Sequence, residues 1–352
     1  MRKLCFAWLC LLFFLLQSEA GHAQFNRKSI KNGNKRMASY QGGKNTFGKQ
    51  KRYSSIGFSL NALNYYGDLS PTPKKISTDI SFTRPGFGVS YMRRFGPRYS
   101  LQGQFMYGTI SGSDAESANK GDLNSGVYRY KRNLSFRNRI KELSVVAMFD
   151  LFENQSFYMS RVKWTPYVYI GVAAFLHNPQ AKAPATDLQG KPLAQAGQWV
   201  DLQPLGTEGQ YSTLAPTDAN YGIKPYSLLQ VAIPFGFGAR FRLNEVMDLS
   251  GDIGFRYTFT DYLDDVSGNY VDLSKLKDPL AQAMSYRTNE INGGNPAIPV
   301  SSGIPGVNVE AGYGSEYPTN NRGTKANKDI YMVTSIRLTY IISPAFHKAK
   351  FR

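Results

Sequence analysis

In Leu229–Tyr262, LQVAIPFGFGARFRLNEVMDLSGDIGFRYTFTDY, two runs of alternating apolar and polar or small residues lie side by side. Successive side chains of a β-strand point to opposite faces, so each run predicts a strand with one apolar and one polar face. The predicted strands are Leu229–Leu243 and Asp248–Tyr262, separated by the short link Asn244–Met247. They are therefore expected to run up and down as neighbours.

Six further segments alternate in the same way, so the sequence predicts eight strands in all. The other six are Ser54–Tyr65, Arg84–Phe95, Leu101–Ile110 (opened by Tyr99), Leu134–Asp150, Thr165–Leu176 and Ile330–Ile342. The links between strands alternate in length. The short links are Gly96–Arg98, Leu151–Lys163 and Asn244–Met247, and the long links are roughly Gly67–Thr83, Ser111–Asn133, His177–Pro225 and Leu263–Lys328. Up-and-down strands would place every long loop at one end.

That asymmetry is typical of outer-membrane barrels, which have short periplasmic turns and long external loops. The predicted strands are also long enough to cross a bilayer when tilted. We therefore predict an all-β fold, an eight-stranded antiparallel transmembrane β-barrel of the outer membrane with four long external loops. An even number of strands would place both ends of the barrel domain on the periplasmic side.

A soluble barrel or sandwich is the alternative, because the same alternation can point the apolar faces inward. Many large aromatic side chains would then have to fit inside a small barrel. The opposite faces carry glycines, which suit a crowded lumen, so we favour apolar faces toward lipid. In the first strand this places Ile56, Phe58 and Leu60 against lipid, and Tyr65–Tyr66 in an aromatic girdle at the external interface.

The composition agrees with a membrane barrel. The 352 residues include 23 Tyr, 22 Phe and 33 Gly, and only 19% are charged. The overall hydropathy resembles that of a soluble protein, but the alternating segments of a barrel give a weak hydropathy signal. Beyond the N-terminal segment no stretch approaches 18 consecutive apolar residues, so no transmembrane helix is predicted.

Residues 1–23 are predicted to be a secretory signal peptide that exports the chain. Basic residues precede an apolar run, Leu4–Leu16, and small residues follow it, with cleavage after Ala20 or Ala23. The apolar run is too short for a spanning helix. Cys5 and Cys10 are the two cysteines of the chain, so the exported part is expected to build neither disulfides nor thiolate metal sites.

Residues 24–52 are predicted to form a basic, disordered periplasmic arm, followed by the barrel (53–343) and a periplasmic C-terminal tail (344–352). The arm has nine Lys and Arg and no acidic residue. It could dock on an acidic periplasmic protein or an anionic surface, or remain a solvated leader. Nucleic acid is not expected as a partner, because an exported barrel has no access to it. The possible contacts are Arg27, Lys28, Lys31, Lys35 and Arg36.

Charged residues on the predicted inward faces could form a network in the lumen. They are Glu142, Arg240, Arg242, Asp252, Arg256 and Arg337. Eight strands enclose an interior that side chains fill, where charges are tolerated only if they are paired or hydrated. The network could line an ion path or form a plug of ion pairs, and for eight strands we favour the plug.

Neither a catalytic site nor a cofactor site is predicted. The run PFGFGAR at Pro234–Arg240 lacks the strand-turn-helix context and the lysine-serine ending of a nucleotide loop. Of the three histidines, His22 lies in the predicted signal peptide. No serine or acidic pattern singles out His177 or His347 as a catalytic residue.

A metal site is not predicted either. Asp261, Asp264 and Asp265 could offer oxygen ligands to calcium near the outer rim, but their spacing does not match a helix-loop-helix calcium loop. Such residues more often cap a strand and are solvated.

Two kinds of link could bind a partner. Leu151–Lys163 is the longest of the predicted periplasmic links and carries Phe157 and Tyr158, which could contact a partner or belong to the inner aromatic girdle. The loops His177–Pro225 and Leu263–Lys328 are longer than structureless loops usually run. They could be ordered lids or partner surfaces.

Four segments between Ser54 and Leu176 together resemble one family. They are NYYGDLSPT, RPGFGVSYMRRFGPRYSLQGQFMYGTISGSDAES, LSFRNRIKELSVVAMFDLF and TPYVYIGVAAF, in this order. As a set they are similar to the PorG-like outer-membrane barrel family of Bacteroidetes, a component of the type IX secretion system. The resemblance is thinner over the last three strands. It implies a non-enzymatic barrel that helps to tether a periplasmic ring of PorK and PorN to the outer membrane, with no catalytic residues to carry over.

The resemblance leads us to expect a barrel that anchors or scaffolds a periplasmic secretion assembly, with outer-membrane lipid and PorK/PorN-like ring proteins as partners. A small outer-membrane channel, or a surface receptor that acts through the long external loops, is the alternative. The basic arm and the long third and fourth loops depart from a compact member of the family. A paralogue with another partner therefore stays open.

Overall fold

The computed structural model describes residue 47 and residues 51–70, 82–123, 125–317, 319–326 and 328–342. All of them belong to one compact unit, Phe47–Arg352. The predicted signal peptide, the predicted C-terminal tail and nearly all of the predicted arm lie outside the described residues. The predicted arm contacts Arg27, Lys28, Lys31, Lys35 and Arg36 lie outside them too.

Eight long strands pair side by side and close into a barrel. They are β1 (Ser54–Tyr66), β2 (Arg84–Arg94), β3 (Tyr99–Ser113), β4 (Ser135–Asp150), β5 (Trp164–Leu176), β8 (Leu229–Arg242), β9 (Met247–Thr258) and β12 (Ile330–Ile342). Neighbours in this order are antiparallel, and β1 pairs with β12 along its whole length to close the ring. The predicted eight-stranded antiparallel barrel is confirmed, with strand ends within a few residues of the prediction.

The outer surface of the barrel is apolar. Leu60 on β1, Val172 on β5 and Ile336 on β12 are each more than 60% exposed, while the alternate residues of the same strands are buried inside. Apolar side chains form a belt around the whole barrel, far larger than the apolar patches of soluble monomers. The prediction that the apolar faces point toward lipid is therefore confirmed, and the barrel is of the outer-membrane type.

The two ends of the barrel differ in size. The end we call the turn end carries the short links, and its longest link includes a 3₁₀ turn at Tyr158–Ser160. The loop end carries the long links, which contain short strands and helices of their own. These are α1 (Asp114–Ser117), α2 (Gly126–Arg132), β6 (Pro179–Lys182), β7 (Trp199–Asp201), α3 (Pro279–Ser285), α4 (Asn289–Asn292), β10 (Pro299–Ser301), β11 (Asn308–Glu310) and 3₁₀ turns at Gln203–Leu205 and Leu273–Lys275. Among the described residues, no helix has the length and apolar character needed to span a membrane.

The third and fourth loops fold together into an ordered unit, which we call the cap and define as the described residues of 177–228 and 259–329. Its core contains Tyr270, Val271 and Leu273 from the fourth loop, with Leu205 and Leu214 from the third loop packed against them. A second cluster joins the two loops in the same way. The sequence left the order of these loops open, and burial of their apolar residues against each other resolves it.

Glycines inside the barrel make room for tyrosines that cross the lumen. Gly236 on β8 lies opposite Gly254 on β9, and both face inward. The Tyr169 side chain of β5 lies over this pair, so a Cβ atom at Gly254 would overlap its hydroxyl group. The narrow interior therefore requires glycine at this position.

We predict that Gly254→Val destabilises the barrel by about 1–3 kcal/mol, because the Tyr169 side chain must move out of its place. The matched control is Gly251→Val on the lipid-facing side of the same strand, where the nearest atom to a new Cβ is 3.9 Å away. Denaturant unfolding of the refolded barrel in lipid vesicles measures the difference. Equal loss of stability in both variants would contradict the account.

Candidate functional site

In the loop-end half of the lumen, an ion pair joins β9 to β4. The Arg256 Nε group of β9 donates to Glu142 Oε2 of β4 at 3.3 Å, and the Tyr331 hydroxyl of β12 donates to the same oxygen at 2.8 Å. All three side chains are buried. A charge in this position needs a partner, because the surrounding strands exclude bulk water.

A second ion pair lies in the next layer toward the turn end. Arg337 of β12 lies 3.5 Å from Asp252 of β9 and donates to the Gln104 side chain at 3.0 Å. Tyr167 and Tyr169 of β5 donate to the two oxygens of Asp252 at 3.0 and 3.3 Å. Side chains of four strands thus contribute to this cluster around the Asp252 carboxylate and Arg337. Their hydrogen bonds hold the side chains of this layer in one arrangement.

Nearest the turn end, Asp150 of β4 pairs with two arginines. Arg94 lies 2.6 Å from its carboxylate and Arg240 lies 3.3 Å away. In the same region Arg161, from the link between β4 and β5, pairs with Asp248 of β9 at 2.6 Å. Each carboxylate in the lumen therefore faces at least one guanidinium group.

Arg161 also joins two turns to each other. Its remaining N–H groups donate to backbone carbonyls of its own link and of the β8–β9 turn. The acceptors are the carbonyl oxygens of Tyr158, Asn244, Glu245 and Met247. A buried guanidinium that satisfies carbonyls of both links holds them in one arrangement.

The structure places the six predicted network residues in different settings. Glu142 contacts Arg256, and Asp252 contacts Arg337. Arg240 is buried in the lumen but pairs with Asp150, which the sequence reasoning did not single out. The missed charges Arg94, Asp150 and Asp248 all lie at inward positions of alternating strands, so strand parity could have found them.

Arg242 stands apart from the network. It lies at the last position of β8, partly exposed, and donates to the carbonyls of Met159 and Arg161 at 3.1 and 3.0 Å. Among the described residues it forms no ion pair within 4.0 Å. It lines a void at the turn end of the lumen and supports the link between β4 and β5 through these two hydrogen bonds.

Little open space is left between these layers. Two voids in the lumen measure about 10 Å³ each, which is room for about one water molecule. Their walls are the same Gln, Tyr, Arg and Asp side chains that form the ion pairs. The lumen is therefore plugged by its own side chains.

At the loop end, acidic side chains gather where the strands meet the cap. The Tyr65 hydroxyl lies 2.7 Å from both Asp264 Oδ2 and Asp329 Oδ1, and all three groups are buried. The expectation that Tyr65 belongs to a lipid-facing girdle is therefore wrong. It shares the inward side of β1 with Leu63, because side chains two residues apart lie on one face.

This arrangement requires a proton on one of the two carboxyl groups. A hydroxyl has a single hydrogen, so Tyr65 donates to one carboxylate and accepts from the other, which must be protonated. Burial, together with the charge of Asp329, raises the pKa of Asp264 well above its usual range, and burial with Asp261 does the same for the pKa of Asp329. The expectation that Asp261, Asp264 and Asp265 are solvated is wrong, since each is less than 5% exposed.

A buried arginine ties the two cap loops together. Arg322 of the fourth loop pairs with Glu208 of the third at 3.0 Å and lies 3.6 Å from Asp265. Thr207 and Tyr226 of the third loop donate to the Asp265 carboxylate at 2.5 and 2.6 Å. Burial raises the pKa of Asp265 to about 6 despite the nearby guanidinium.

The second loop is attached to the cap by another arginine. Arg132 of α2 pairs with the fully buried Asp114 at 2.7 Å and donates to the backbone carbonyls of Asp68 and Arg322. One guanidinium thus contacts the first, second and fourth loops. The cap and the smaller loops cover the loop end as one connected structure.

The hydrogen bonds of His177 indicate a structural role. Its Nε2 lies 3.1 Å from the Ser227 carbonyl, so a neutral ring donates there and accepts from the Asn138 amide at 3.3 Å through Nδ1. Burial lowers the pKa of His177 to about 4, which keeps the ring neutral at physiological pH. Within the described ranges, no group of three or more His, Cys, Asp or Glu side chains is arranged to hold a metal ion.

The two predicted contacts on the β4–β5 link differ in exposure. Phe157 is 48% exposed, next to the exposed Met159, whereas Tyr158 packs against Tyr53 with ring centroids 6.4 Å apart. Trp164 stacks on Phe241 on the outer surface, which is the arrangement expected for an aromatic girdle. Phe157 is thus free to meet a partner, while Tyr158 supports the link from beneath.

Comparison with known proteins gives one family match. The family model of a domain of unknown function, DUF6089, matches residues 45–189, which include the first five barrel strands. No curated protein sequence matches the chain.

Several solved structures are similar to this chain at low sequence identity. A major outer membrane protein from Thermus thermophilus is 13% identical, with 82% of this chain and 99% of that chain covered and a TM-score of 0.36. OprG from Pseudomonas aeruginosa is 10% identical, with 84% and 98% covered and a TM-score of 0.35. Ail of Yersinia pestis, in complex with the heparin analogue sucrose octasulfate, is 8% identical, with 83% and 97% covered and a TM-score of 0.29. The fold described above rests on the strand pairing of this chain itself.

We predict that Arg256→Met lowers the free energy of unfolding by about 3–5 kcal/mol, because it leaves Glu142 charged and unpaired inside the barrel. The double variant E142Q/R256M should recover much of that loss, since the uncompensated charge is gone. Denaturant unfolding in lipid vesicles measures both. A double variant as unstable as R256M would show that packing, and not charge, dominates at this layer.

We also predict a distinctive pH dependence for Asp264→Asn. The folded-state pKa of Asp264 is raised, so the folded protein retains a proton that the unfolded chain releases as pH rises above about 4. Asp264 therefore lowers the stability of the folded protein at pH 8 but not at pH 4. Since asparagine does not titrate, D264N should gain stability relative to the wild type as pH rises. Protease resistance of the cap at pH 5 and pH 8 reports the difference.

The matched control for this pH series is Asp218→Asn. The pKa of this cap carboxyl is lowered by hydrogen bonds from Lys275 and from the backbone of Ala215, so its contribution to stability has the opposite sign. That contribution is already complete at about pH 5, above the pKa of an unfolded aspartate. D218N should therefore show no gain in resistance relative to the wild type between pH 5 and pH 8. The same trend in both variants would contradict the assignment of a buried protonated carboxyl.

Proposed function

We propose that this protein is a closed, non-enzymatic membrane anchor that scaffolds a periplasmic protein-secretion assembly of the type IX kind. The observation that carries the anchor role is the closed lumen. Three layers of ion pairs fill the interior, and the voids between them admit about one water molecule each. A barrel so filled offers a rigid support in the membrane but no path for solutes.

The turn end supplies the surface for the proposed assembly. Phe157 and Met159 are 48% and 53% exposed on a link that Arg161 and Arg242 hold in place. Because the link is fixed before binding, a partner can dock on it without a large ordering cost. With the turn end on the periplasmic side, these side chains would face the periplasm.

The resemblance of segments in Ser54–Leu176 to the PorG-like family supports the choice of partner. It points to ring proteins like PorK and PorN, which that family tethers beneath the outer membrane. The basic arm, whose residues Arg27, Lys28, Lys31, Lys35 and Arg36 carry positive charge, would lie on the same side and add an electrostatic contact.

A surface receptor is the second candidate function, and one feature of the cap favours it. A cleft of about 540 Å³ opens between the third and fourth loops, with walls that include Thr186, Tyr286 and Asn289. Its volume is in the range of small-molecule sites, and its walls are mostly polar. The alternative of a small channel is disfavoured by the plugged lumen.

We predict that the reconstituted barrel passes no current above background in planar bilayers, because charged side chains from opposite walls meet in the lumen. Correct insertion is checked by protease protection of the barrel in the same lipid. Discrete, repeatable current steps from the wild-type protein would contradict the anchor role and favour a channel.

We predict that Phe157→Ser together with Met159→Ser lowers recovery of PorK/PorN-like ring proteins about tenfold or more in a mild-detergent pull-down from native outer membrane. The matched control is Tyr211→Ser with Tyr221→Ser, which removes two exposed aromatics from the cap. Loss of partners only in the cap variant would favour a surface receptor. Recovery of no ring proteins with the wild type would end the secretion proposal.

A further inference from the structure

Three basic side chains emerge on the outer surface of the barrel at successive outward positions of β4. They are Lys141, Arg139 and Arg137, and we call them the rim patch. Below them on the same face lie Leu143 and Val145 of the apolar belt. Since outward residues along a strand are about 7 Å apart, the patch begins where the belt ends and rises about 14 Å toward the loop end.

The depth of the patch follows from its neighbours. Lys141 lies between Tyr107 of β3 and Leu176 of β5, the top row of the belt in this sector. Arg139 lies one row higher, opposite Thr109. The polar headgroup layer of a bilayer is about 5–8 Å thick on each side, so Lys141 and Arg139 lie at headgroup depth.

The patch is confined to one sector of the barrel. Outward residues at a similar height on the other strands carry no charge, and they include Ala62, Phe87, Leu229, Tyr257 and Thr334. A general attraction to charged membrane surfaces would not require three cations on a single strand. The clustering indicates a ligand with concentrated negative charge.

The uppermost arginine is held in position. Two N–H groups of Arg137 donate to the Gln180 side-chain oxygen of β6 at 3.1 and 3.0 Å. The Trp199 ring of β7 covers its guanidinium group at 3.8 Å, and Lys182 lies 5.8 Å from the same ring. A guanidinium oriented in this way is prepared to donate its other N–H groups to an oxyanion.

The patch forms no ion pair within the described part of the chain. None of its three side chains has a carboxylate within 4.0 Å. The carboxylate on the adjoining strand β7, Asp201, accepts hydrogen bonds from the Asn178 and Gln180 amides instead. The three basic side chains therefore make no direct ion pair and keep N–H groups available for an external anion.

We infer that the rim patch binds the phosphate groups of a phosphorylated glycolipid of the outer leaflet. The two parts of such a lipid match the two parts of the surface: acyl chains pack on Leu143 and Leu176, and phosphate oxygens accept from Lys141, Arg139 and Arg137. A free anion would not use the belt, and a protein partner would not need cations at headgroup depth. This lipid site is independent of the proposed secretion role.

Native mass spectrometry of the full-length barrel in mixed micelles tests the inference, with lipid A carrying two, one or no phosphates as the probe. We expect the wild type to retain the bisphosphorylated lipid and R139Q/K141Q to bind it about 30-fold more weakly, since each basic group near an anionic surface contributes measurably. R139K/K141R, which conserves the charge, should retain most of the binding. K191Q/K277Q, which removes two exposed charges from the cap, is the matched control and should bind like the wild type.

Three outcomes would overturn the inference. Equal retention of phosphorylated and dephosphorylated lipid A would show that only acyl chains are recognised. Complete competition by inorganic phosphate would identify a free-anion site. Equal weakening in K191Q/K277Q would reduce the effect to net charge.

Discussion

Water is absent from the hydrocarbon core of a bilayer, so a sheet that crosses it must pair every backbone group and close on itself. Closure with eight strands leaves an interior only wide enough for side chains. In this protein Glu142, Asp252 and Asp150 pair with arginines inside the barrel, in layers from its loop-end half to the turn end. The glycines and tyrosines of the inner faces follow from the same constraint, since large rings can cross the lumen only where the opposite strand has no Cβ atom.

The two ends of the barrel differ in structure and in proposed role. At the turn end a single guanidinium, Arg161, satisfies carbonyls of two links and holds a small, rigid surface with exposed Phe157 and Met159. At the loop end, Arg322 and Arg132 join four loops into a cover with its own apolar core. The proposed anchor role uses the first surface, while the cleft of the cap is the natural place for a second role in recognition. The rim patch lies on the outer surface of the barrel and faces the lipid.

The fold could be derived from the sequence because strand parity is a local property. The predicted strands Leu229–Leu243 and Asp248–Tyr262 alternate over the whole membrane-spanning length, and contact with lipid stabilises their apolar faces directly. The same parity placed Glu142, Arg240, Asp252, Arg256 and Arg337 inside the barrel. It also placed Arg242 on the inward side, where this residue at the end of its strand donates to the carbonyls of a turn and pairs with no carboxylate. It was misapplied at Tyr65, where an aromatic next to a loop was assigned to the girdle although its parity pointed inward.

The sequence by itself determined the number of strands, their faces, the alternation of short and long links and the presence of charges in the lumen. Only the tertiary structure decided which charges pair, that Tyr65 lies within hydrogen-bond distance of both Asp264 and Asp329, and that the third and fourth loops form one ordered cap. The physical reason is the range of the interactions involved. A strand face depends on residues two apart in the chain, whereas the pairs Arg322–Glu208 and Arg256–Glu142 join residues more than 100 positions apart, which meet only in the folded structure.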